Sequence, residues 1–256
     1  MISSEESLFL DQQVIPLEKF LLSHPLGSLF TGVLYTPDNA LLTSVELDGF
    51  APGTITLTAA EVGRLFLAPD ESIVSFSRLP EQPNGNPAGF NVSSDNGFVL
   101  DGAPVVVIAY QDSHGTGVRL DSIHLARIMF SPDAPARLCS VAIGLMACTA
   151  YRYGFRQLTL FAGGSGPLPL QPEADDLIGY FIWPKFGFDA PLIAADINMW
   201  PQLQGCASVL DVMARDSVLW EQHGRGREMS FDLAAGSRSW RVLINYLFNA
   251  FARVPS

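Results

Sequence analysis

Strand-like and helix-like patterns alternate along residues 97–192, which restricts the chain to folds that pack helices on a sheet. The predicted order is two strands at Gly97–Leu100 and Pro104–Tyr110, a long strand at Val118–Phe130, a helix at Ala136–Tyr153, a strand at Arg156–Ala162 and a helix at 175–183. An aromatic, amphipathic stretch then ends in Gly187-Phe188, which we expect to start a new strand. The pattern predicts an α/β fold.

Capping and turn signals divide the rest of the chain. Thr58 and Glu61 have the spacing of a capping box, which predicts that a helix starts at Ala59. Residues 80–96 are rich in Pro, Gly, Asn and Asp and predict an internal break. We therefore expect three parts. Residues 1–96 complete or flank a core, residues 97–192 form that core, and residues 193–256 are a C-terminal extension packed on it.

The charge balance restricts the partners of the protein. The chain has 256 residues and a net charge of −11, with 15 Lys and Arg residues, and 48% of it is hydrophobic. Phosphate backbones and anionic lipid surfaces attract clustered Lys and Arg, so we expect neither a nucleic-acid nor a membrane partner. An amine substrate or a basic partner is compatible with the charge, which solubility explains equally well.

The cysteines predict reduced thiols rather than a metal site. The chain has three cysteines, Cys139, Cys148 and Cys206, and an odd number does not suggest a set of disulfides. No two of them form a Cys-x-x-Cys pair, so we expect no bound metal. No basic segment followed by an apolar one opens the chain, so we expect no secretory signal and a cytoplasmic protein. A hydrolase that pairs Cys206 with His223 or His124 has no support beyond the presence of these residues.

The order of elements over residues 97–192 resembles the core of the GNAT superfamily of acyl-CoA-dependent N-acyltransferases. The resemblance rests on the apolar strand Gln157–Ala162, the aromatic helix after it and the Gly187-Phe188 pair. It implies an α/β (α+β) fold with a GNAT-like mixed, mostly antiparallel sheet flanked by helices, with N- and C-terminal additions. It also implies acetyl-CoA or another acyl-CoA as co-substrate.

His124 lies where the resemblance implies a general base. The run from His124 to Pro132 (HLARIMFSP) resembles the family pattern Glu-Leu-x-x-Leu-x-Val-x-Pro, with His in place of Glu. An imidazole suits this role because it titrates near neutrality. The alternative is a strand histidine that is simply hydrogen-bonded or exposed. The resemblance further implies that Ile128, Met129 and Phe130 lie along the acyl-CoA.

The segment after this strand resembles the pyrophosphate loop of the family. The family pattern is Gln/Arg-x-x-Gly-x-Gly/Ala, in which backbone N–H groups at a helix N-terminus bind phosphate. The matching residues are Arg137, Leu138, Cys139, Ser140, Val141 and Ala142. Ser140 stands where the family has Gly and adds side-chain bulk. The alternative is an ordinary helix start.

The resemblance also implies a tyrosine about four residues before the Gly-Phe pair, to protonate the leaving thiolate. Trp183 occupies that position, and an indole is not a practical acid. Tyr180 precedes it by almost one helical turn, so we expect Tyr180 to reach the same cleft as the acid. Core packing is the alternative for these aromatic residues. Pro184 is expected to end or kink the helix at about Trp183.

Two functions follow from the resemblance. The first is an acyl-CoA-dependent N-acyltransferase acting on a small-molecule or protein amine, with His124 and Tyr180 as catalytic residues. The alternative is a catalytically inactive GNAT-like protein that serves as a ligand-binding or protein-interaction module, which Ser140 and Trp183 favour. A homodimer is possible. The run from Trp220 to Arg227 (WEQHGRGR) offers cationic contacts for a phosphate or forms an exposed turn.

Overall fold

A computed structural model describes residues 3–50, 53–81, 87–111, 121–169 and 177–252. Its helices are α1 Ser4–Phe9, α2 Ile15–Ser23, α3 Ala59–Leu65, α4 Leu138–Arg152, α5 Gly179–Lys185, α6 Ala194–Met199, α7 Val209–His223 and α8 Arg238–Ala252. Its strands are β1 Ser44–Phe50, β2 Gly53–Thr58, β3 Ile73–Leu79, β4 Gly89–Asp95, β5 Val105–Tyr110, β6 Ser122–Arg127, β7 Gln157–Ser165 and β8 Arg225–Asp232.

The strands form a six-stranded sheet in the order β3-β4-β5-β6-β7-β8, and β1 and β2 form a separate antiparallel pair. Strands β3 to β6 pair antiparallel along the chain, each with its neighbour. The predicted α/β fold with a mostly antiparallel sheet flanked by helices is therefore confirmed. Its assignment to a GNAT-like fold stays a prediction.

The chain divides into two compact units. The first unit comprises Met1–Leu158 with Leu233–Gly236, and the second comprises Thr159–Asp232 with Ser237–Ser256. In the second unit an aromatic cluster forms much of the core, and its rings meet edge to face as aromatic rings prefer. Phe231 lies 5.7 Å from Phe188 and 5.5 Å from Trp240, measured between ring centroids. The predicted division into three parts stays a prediction.

Helix α4 is the central helix of the first unit. All residues from Ser140 to Ala150 are buried, which explains why its sequence is apolar on every side. The helix ends before Gly154, whose φ of +78° is the left-handed conformation expected after a helix. Arg152 near this end pairs with Glu18 of α2 and Glu61 of α3, each at 3.0 Å, so ion pairs tie the three helices together.

The predicted start of α3 is confirmed, but part of the predicted break at residues 80–96 is a strand. The predicted capping box exists, because Thr58 N–H donates to Glu61 Oε2 at 2.9 Å and Glu61 N–H donates to Thr58 Oγ1 at 3.4 Å. The predicted break at residues 80–96 is wrong for Gly89–Asp95, which form β4 between β3 and β5. Residues 82–86 of that break lie outside the described residues. Phe90, Val92 and Ser94 are buried on alternate positions, as a strand requires.

Candidate functional site

His124 lies on β6, on the more open face of the sheet. Its neighbours Ile123 and Leu125 are buried, whereas His124 is half-buried, and successive strand residues point to opposite faces. His124 pairs with Ile108 of β5, and its ring centroid lies 6.1 Å from that of Tyr110. Burial raises the pKa of Tyr110, which keeps that neighbour a neutral phenol. The predicted base is thus accessible from one side and flanked by an uncharged aromatic.

The strand that carries His124 has a β-bulge two residues further on. Val106 pairs with Arg127 while Val107 pairs with Leu125, so Ala126 is an extra residue in β6. A bulge bends its strand and interrupts the ladder of hydrogen bonds, and bulges are frequent beside active sites. The predicted strand Val118–Phe130 is shorter in the structure, where β6 ends at Arg127; residues 118–120 lie outside the described ranges.

The predicted acyl-CoA contacts Ile128, Met129 and Phe130 are half-buried and follow the end of β6. This segment runs antiparallel to Phe98–Leu100. Leu100 N–H donates to Met129 O at 3.1 Å and Ser131 N–H donates to Phe98 O at 2.9 Å. The N–H and C=O of Phe130, at the bridge between those two bonds, therefore point to the other edge of the segment.

The predicted phosphate loop forms the start of α4. Arg137 is exposed and has left-handed backbone angles, φ +70° and ψ +8°, before the helix begins at Leu138. A left-handed residue followed by a right-handed one turns successive backbone N–H groups toward one side, as in anion-binding nests. Two of these groups are already used, because Leu138 N–H donates to the Pro135 carbonyl at 3.0 Å and Val141 N–H donates to the Arg137 carbonyl at 3.2 Å. The side chains of Leu138, Ser140, Val141 and Ala142 are buried, and Cys139 is half-buried. Burial raises the pKa of the Cys139 thiol to about 12, so it is not a ready nucleophile.

Tyr180, the predicted acid, lies in α5 of the second unit and is fully buried. Its hydroxyl donates to the backbone carbonyl of Glu221 at 2.6 Å. Burial raises the pKa of Tyr180, followed by the nearby charge of Glu221, so the phenol holds its proton more tightly than a free tyrosine. His124 belongs to the first unit. The catalytic roles of His124 and Tyr180 both stay predictions.

Pro184 is the second-last residue of α5. The helix ends at Lys185, so the prediction that it ends at about Trp183 is confirmed to within two residues. A proline cannot donate the usual hydrogen bond to the carbonyl four residues earlier, which here belongs to Tyr180. Trp220 of α7 donates from its indole Nε1 to that Tyr180 carbonyl at 2.9 Å. A side chain from another helix thus replaces the bond that Pro184 removes.

The predicted strand after Gly187-Phe188 is replaced by two isolated bridges, one between Asp189 and Ser230 and one between Pro191 and Ser208. Asp189 and Ser230 of β8 exchange backbone hydrogen bonds of 2.8 and 2.9 Å, and no longer pairing is described there. Gly187 has a φ of +92°, and a Cβ at this position would clash with the carbonyl oxygen of Ser239. Glycine is therefore required here by both its backbone angle and the close approach of a neighbouring chain segment.

The second unit contains a cleft that was not predicted from the sequence. The rings of Trp200 and His223 stack at 3.9 Å with an angle of 20° between their planes. Trp200, His223 and Arg225 line two adjoining cavities of about 330 and 720 Å³. The run from Trp220 to Arg227 was a sequence signal that pointed here, although residues 220–223 belong to α7 and not to a turn. Nothing in the sequence linked Trp200 to that run.

The described residues contain neither a metal-binding cluster nor a membrane-spanning helix. No group of three or more His, Cys, Asp or Glu side chains in the described ranges is placed to hold a metal ion. None of the helices in those ranges combines the length and apolar character needed to cross a membrane. Comparisons of the chain with protein-family models, with curated proteins and with solved structures found no match.

Proposed function

We propose that this protein is an acyl-CoA-dependent N-acyltransferase that acts on an amine. The observation that carries the proposal is the succession of features from β6 to α4. His124 on the open face of β6 is followed by the bulge at Ala126, and the left-handed turn at Arg137 then leads into α4. This succession supports a base and an anion-binding turn within one short segment, as the resemblance to GNAT enzymes requires.

Each part of the segment has a proposed task. The turn at Arg137–Ala142 would hold the pyrophosphate through the guanidinium of Arg137 and through backbone N–H groups other than those of Leu138 and Val141, which donate to carbonyls of the chain. The backbone of Ile128–Phe130 would orient the thioester. The amine nitrogen would attack the thioester carbonyl carbon, His124 would take the proton of the attacking amine, and the C–S bond would break to release the thiolate. Tyr180 is the proposed source of the proton for that thiolate, and its hydroxyl would first have to leave the Glu221 carbonyl.

Acetyl-CoA binding is the first test of this proposal. A ligand present at about 100 times its Kd adds about 2.7 kcal/mol to the stability of the folded state. For a protein of this size that corresponds to a rise in Tm of about 5–10 °C. The absence of a shift at millimolar acetyl-CoA would contradict the proposal, whereas a shift would justify assays with a panel of primary amines.

Turnover of the bound acyl-CoA is the second test. Release of the free CoA thiol measures it, and His124→Gln is expected to lower the rate by about 100-fold or more without lowering Tm. His24→Gln is the matched control, because His24 is another half-buried histidine of the first unit and has no proposed role. Equal rates for the two variants would exclude His124 as the base.

A non-catalytic GNAT-like binding module is the second candidate. The observation that favours it is the state of Tyr180, which is fully buried with its hydroxyl donating to a backbone carbonyl. Trp183 at the position of the family's acid points the same way. Acetyl-CoA binding without release of CoA in the presence of any amine would support this candidate and exclude the enzyme.

A further inference from the structure

The cleft of the second unit has the composition of a small-molecule site. Its smaller cavity, of about 330 Å³, is lined mainly by apolar groups that include Ile193, Met199 and Trp200. The larger cavity, of about 720 Å³, continues along Gly166 and Gln222. Ligand pockets in proteins commonly have such volumes and combine apolar walls with a few fixed polar groups. Among the described residues, Arg225 and His223 supply polar groups to both cavities.

Arg227 forms a wall of the smaller cavity and is already neutralised. Its guanidinium makes a two-pronged ion pair with Asp196, at 2.8 and 3.0 Å, and lies 4.9 Å from the ring centroid of Trp220. Burial acts to raise the pKa of Asp196, but hydrogen bonds from Arg227 and Ile193, with nearby arginine charges, outweigh it and hold that pKa below its ordinary value. The pair is therefore ionised and compensated.

Arg225 is exposed and forms no ion pair within the described residues, although its charge helps to lower the pKa of Asp196. Its guanidinium contacts the thioether sulfur of Met199 at 3.4 Å, and a thioether is a weak acceptor. Glu228 also borders the smaller cavity, but strand alternation places it on the opposite face of β8 from Arg225 and Arg227. Because a guanidinium carries five donors in a planar fork, most of the hydrogen-bonding capacity of Arg225 remains for a ligand.

The stacked rings of Trp200 and His223 line the same two cavities as Arg225. They present a flat surface that suits an aromatic or aliphatic body, and Met199 adds an adaptable apolar contact. A cation next to an apolar surface selects a molecule that carries an anion on an apolar body. Nucleic acid does not fit this description, because the protein as a whole carries a net charge of −11.

We propose that this cleft binds a small organic anion. Arg225 pairs with the carboxylate or phosphate of the ligand, and the Trp200–His223 stack and Met199 contact its apolar part. Both anions accept a two-pronged pair from a guanidinium. The site lies wholly within the second unit and does not depend on the proposed acyltransferase activity.

Phenyl phosphate and benzoate are the probes for this site, with benzyl alcohol as the uncharged analogue. Isothermal titration calorimetry measures their affinities, and the indole N–H signal of Trp200 in an NMR spectrum reports the place of binding. We expect at least one anion to bind with a Kd below about 1 mM and benzyl alcohol to bind about tenfold more weakly or not at all. The order of the two anions tells whether phosphate or carboxylate is preferred.

The variant Arg225→Gln tests whether the charge of Arg225 is needed for anion binding, and Arg241→Gln is its control. Both arginines are exposed in the second unit, so both variants are expected to keep the Tm of the parent. Arg225→Gln should weaken binding of the anion by about tenfold or more, and Arg241→Gln should leave it unchanged. The proposal is overturned if the two variants bind the anion equally well, or if the parent binds the anions and benzyl alcohol equally well. It is also overturned if neither anion binds at about 10 mM.

Acyl-CoA carries phosphates and an adenine ring, so it is also a test molecule for this cleft. If Arg225→Gln keeps the thermal shift with acetyl-CoA but loses phenyl phosphate binding, the two sites are separate. The small-anion site then stands whether or not the acyltransferase proposal succeeds. If phenyl phosphate binding is unchanged in Arg225→Gln, the small-anion site fails regardless of acetyl-CoA.

Discussion

The hydrogen bond from Trp220 Nε1 to the Tyr180 carbonyl predicts an energetic coupling between Trp220 and Pro184. Pro184 cannot donate to that carbonyl, and the indole of Trp220 supplies a donor at 2.9 Å. Trp220→Phe removes this donor but keeps an aromatic ring against Arg227. Pro184→Ala returns a backbone N–H at the position that normally bonds the Tyr180 carbonyl. The second change should therefore relieve part of the cost of the first.

The size of the effect follows from burial. Trp220 is 3% exposed and Tyr180 is fully buried, so Trp220→Phe leaves a carbonyl away from water. An unsatisfied buried polar group costs about 1–3 kcal/mol, and the smaller ring adds about 1 kcal/mol through lost packing. With alanine at position 184 the carbonyl has a new partner. We expect Trp220→Phe to cost about 1 kcal/mol less in the Pro184→Ala protein than in the parent.

Urea unfolding followed by tryptophan fluorescence measures this coupling. Trp183, Trp200, Trp220 and Trp240 are the four tryptophans of the chain and all lie in the second unit, so the signal reports the unit that contains the bond. Trp240→Phe is the control, because it removes a buried indole that packs against Phe231, and its cost should be the same in both backgrounds. If Trp220→Phe costs the same with proline and with alanine at position 184, the reasoning is refuted.

Two further predictions concern a glycine and an acidic cap. Gly187→Ala is expected to cost about 3 kcal/mol, because a Cβ would clash with the Ser239 carbonyl, whereas Gly205→Ala, with a similar φ of +88° and open space, should cost about 1 kcal/mol. Tryptophan fluorescence during urea unfolding measures both, and equal costs would exclude the clash. Burial acts to raise the pKa of Glu61. Hydrogen bonds from Thr58, helped by Tyr153 and the charge of Arg152, outweigh burial and hold the pKa below 4.5 in the folded chain. The stability from this carboxylate is therefore present above pH 4.5 and is lost as pH falls through the lower folded-state pKa. Thr58→Ala should cost about 1 kcal/mol at neutral pH and reduce this acid dependence, as measured by far-UV circular dichroism; an unchanged pH dependence would contradict the cap.

The predictions that succeeded are those that depend on neighbours in the chain. The helix that begins after Thr58 was predicted from residues three positions apart, and both bonds of its capping box are present. The end of α4 before Gly154 was predicted in the same way. Such signals survive in the folded protein because caps and left-handed ends are formed within one turn of a helix.

The predictions that failed depended on partners that are distant in the chain. Residues 89–95 contain Asn, Ser and Asp, which favour turns, yet pairing with β3 and β5 makes them a strand. The sequence also did not show that Trp220, which lies 36 residues beyond Pro184, bonds the carbonyl that the proline leaves without its usual donor. Tertiary contacts outweighed the local preference of residues 89–95.

One candidate site depends on residues that are close in the chain, and the other depends on residues that only the tertiary structure brings together. His124, the bulged strand after it and the start of α4 are close in sequence, so the order of residues alone determined that they follow one another in one segment. The cleft of Trp200, His223 and Arg225 was decided by the tertiary structure, because its aromatic stack joins two residues 23 positions apart, one directly after α6 and one in α7. Sequence determines what depends on neighbouring residues, and packing alone decides which distant side chains share a surface.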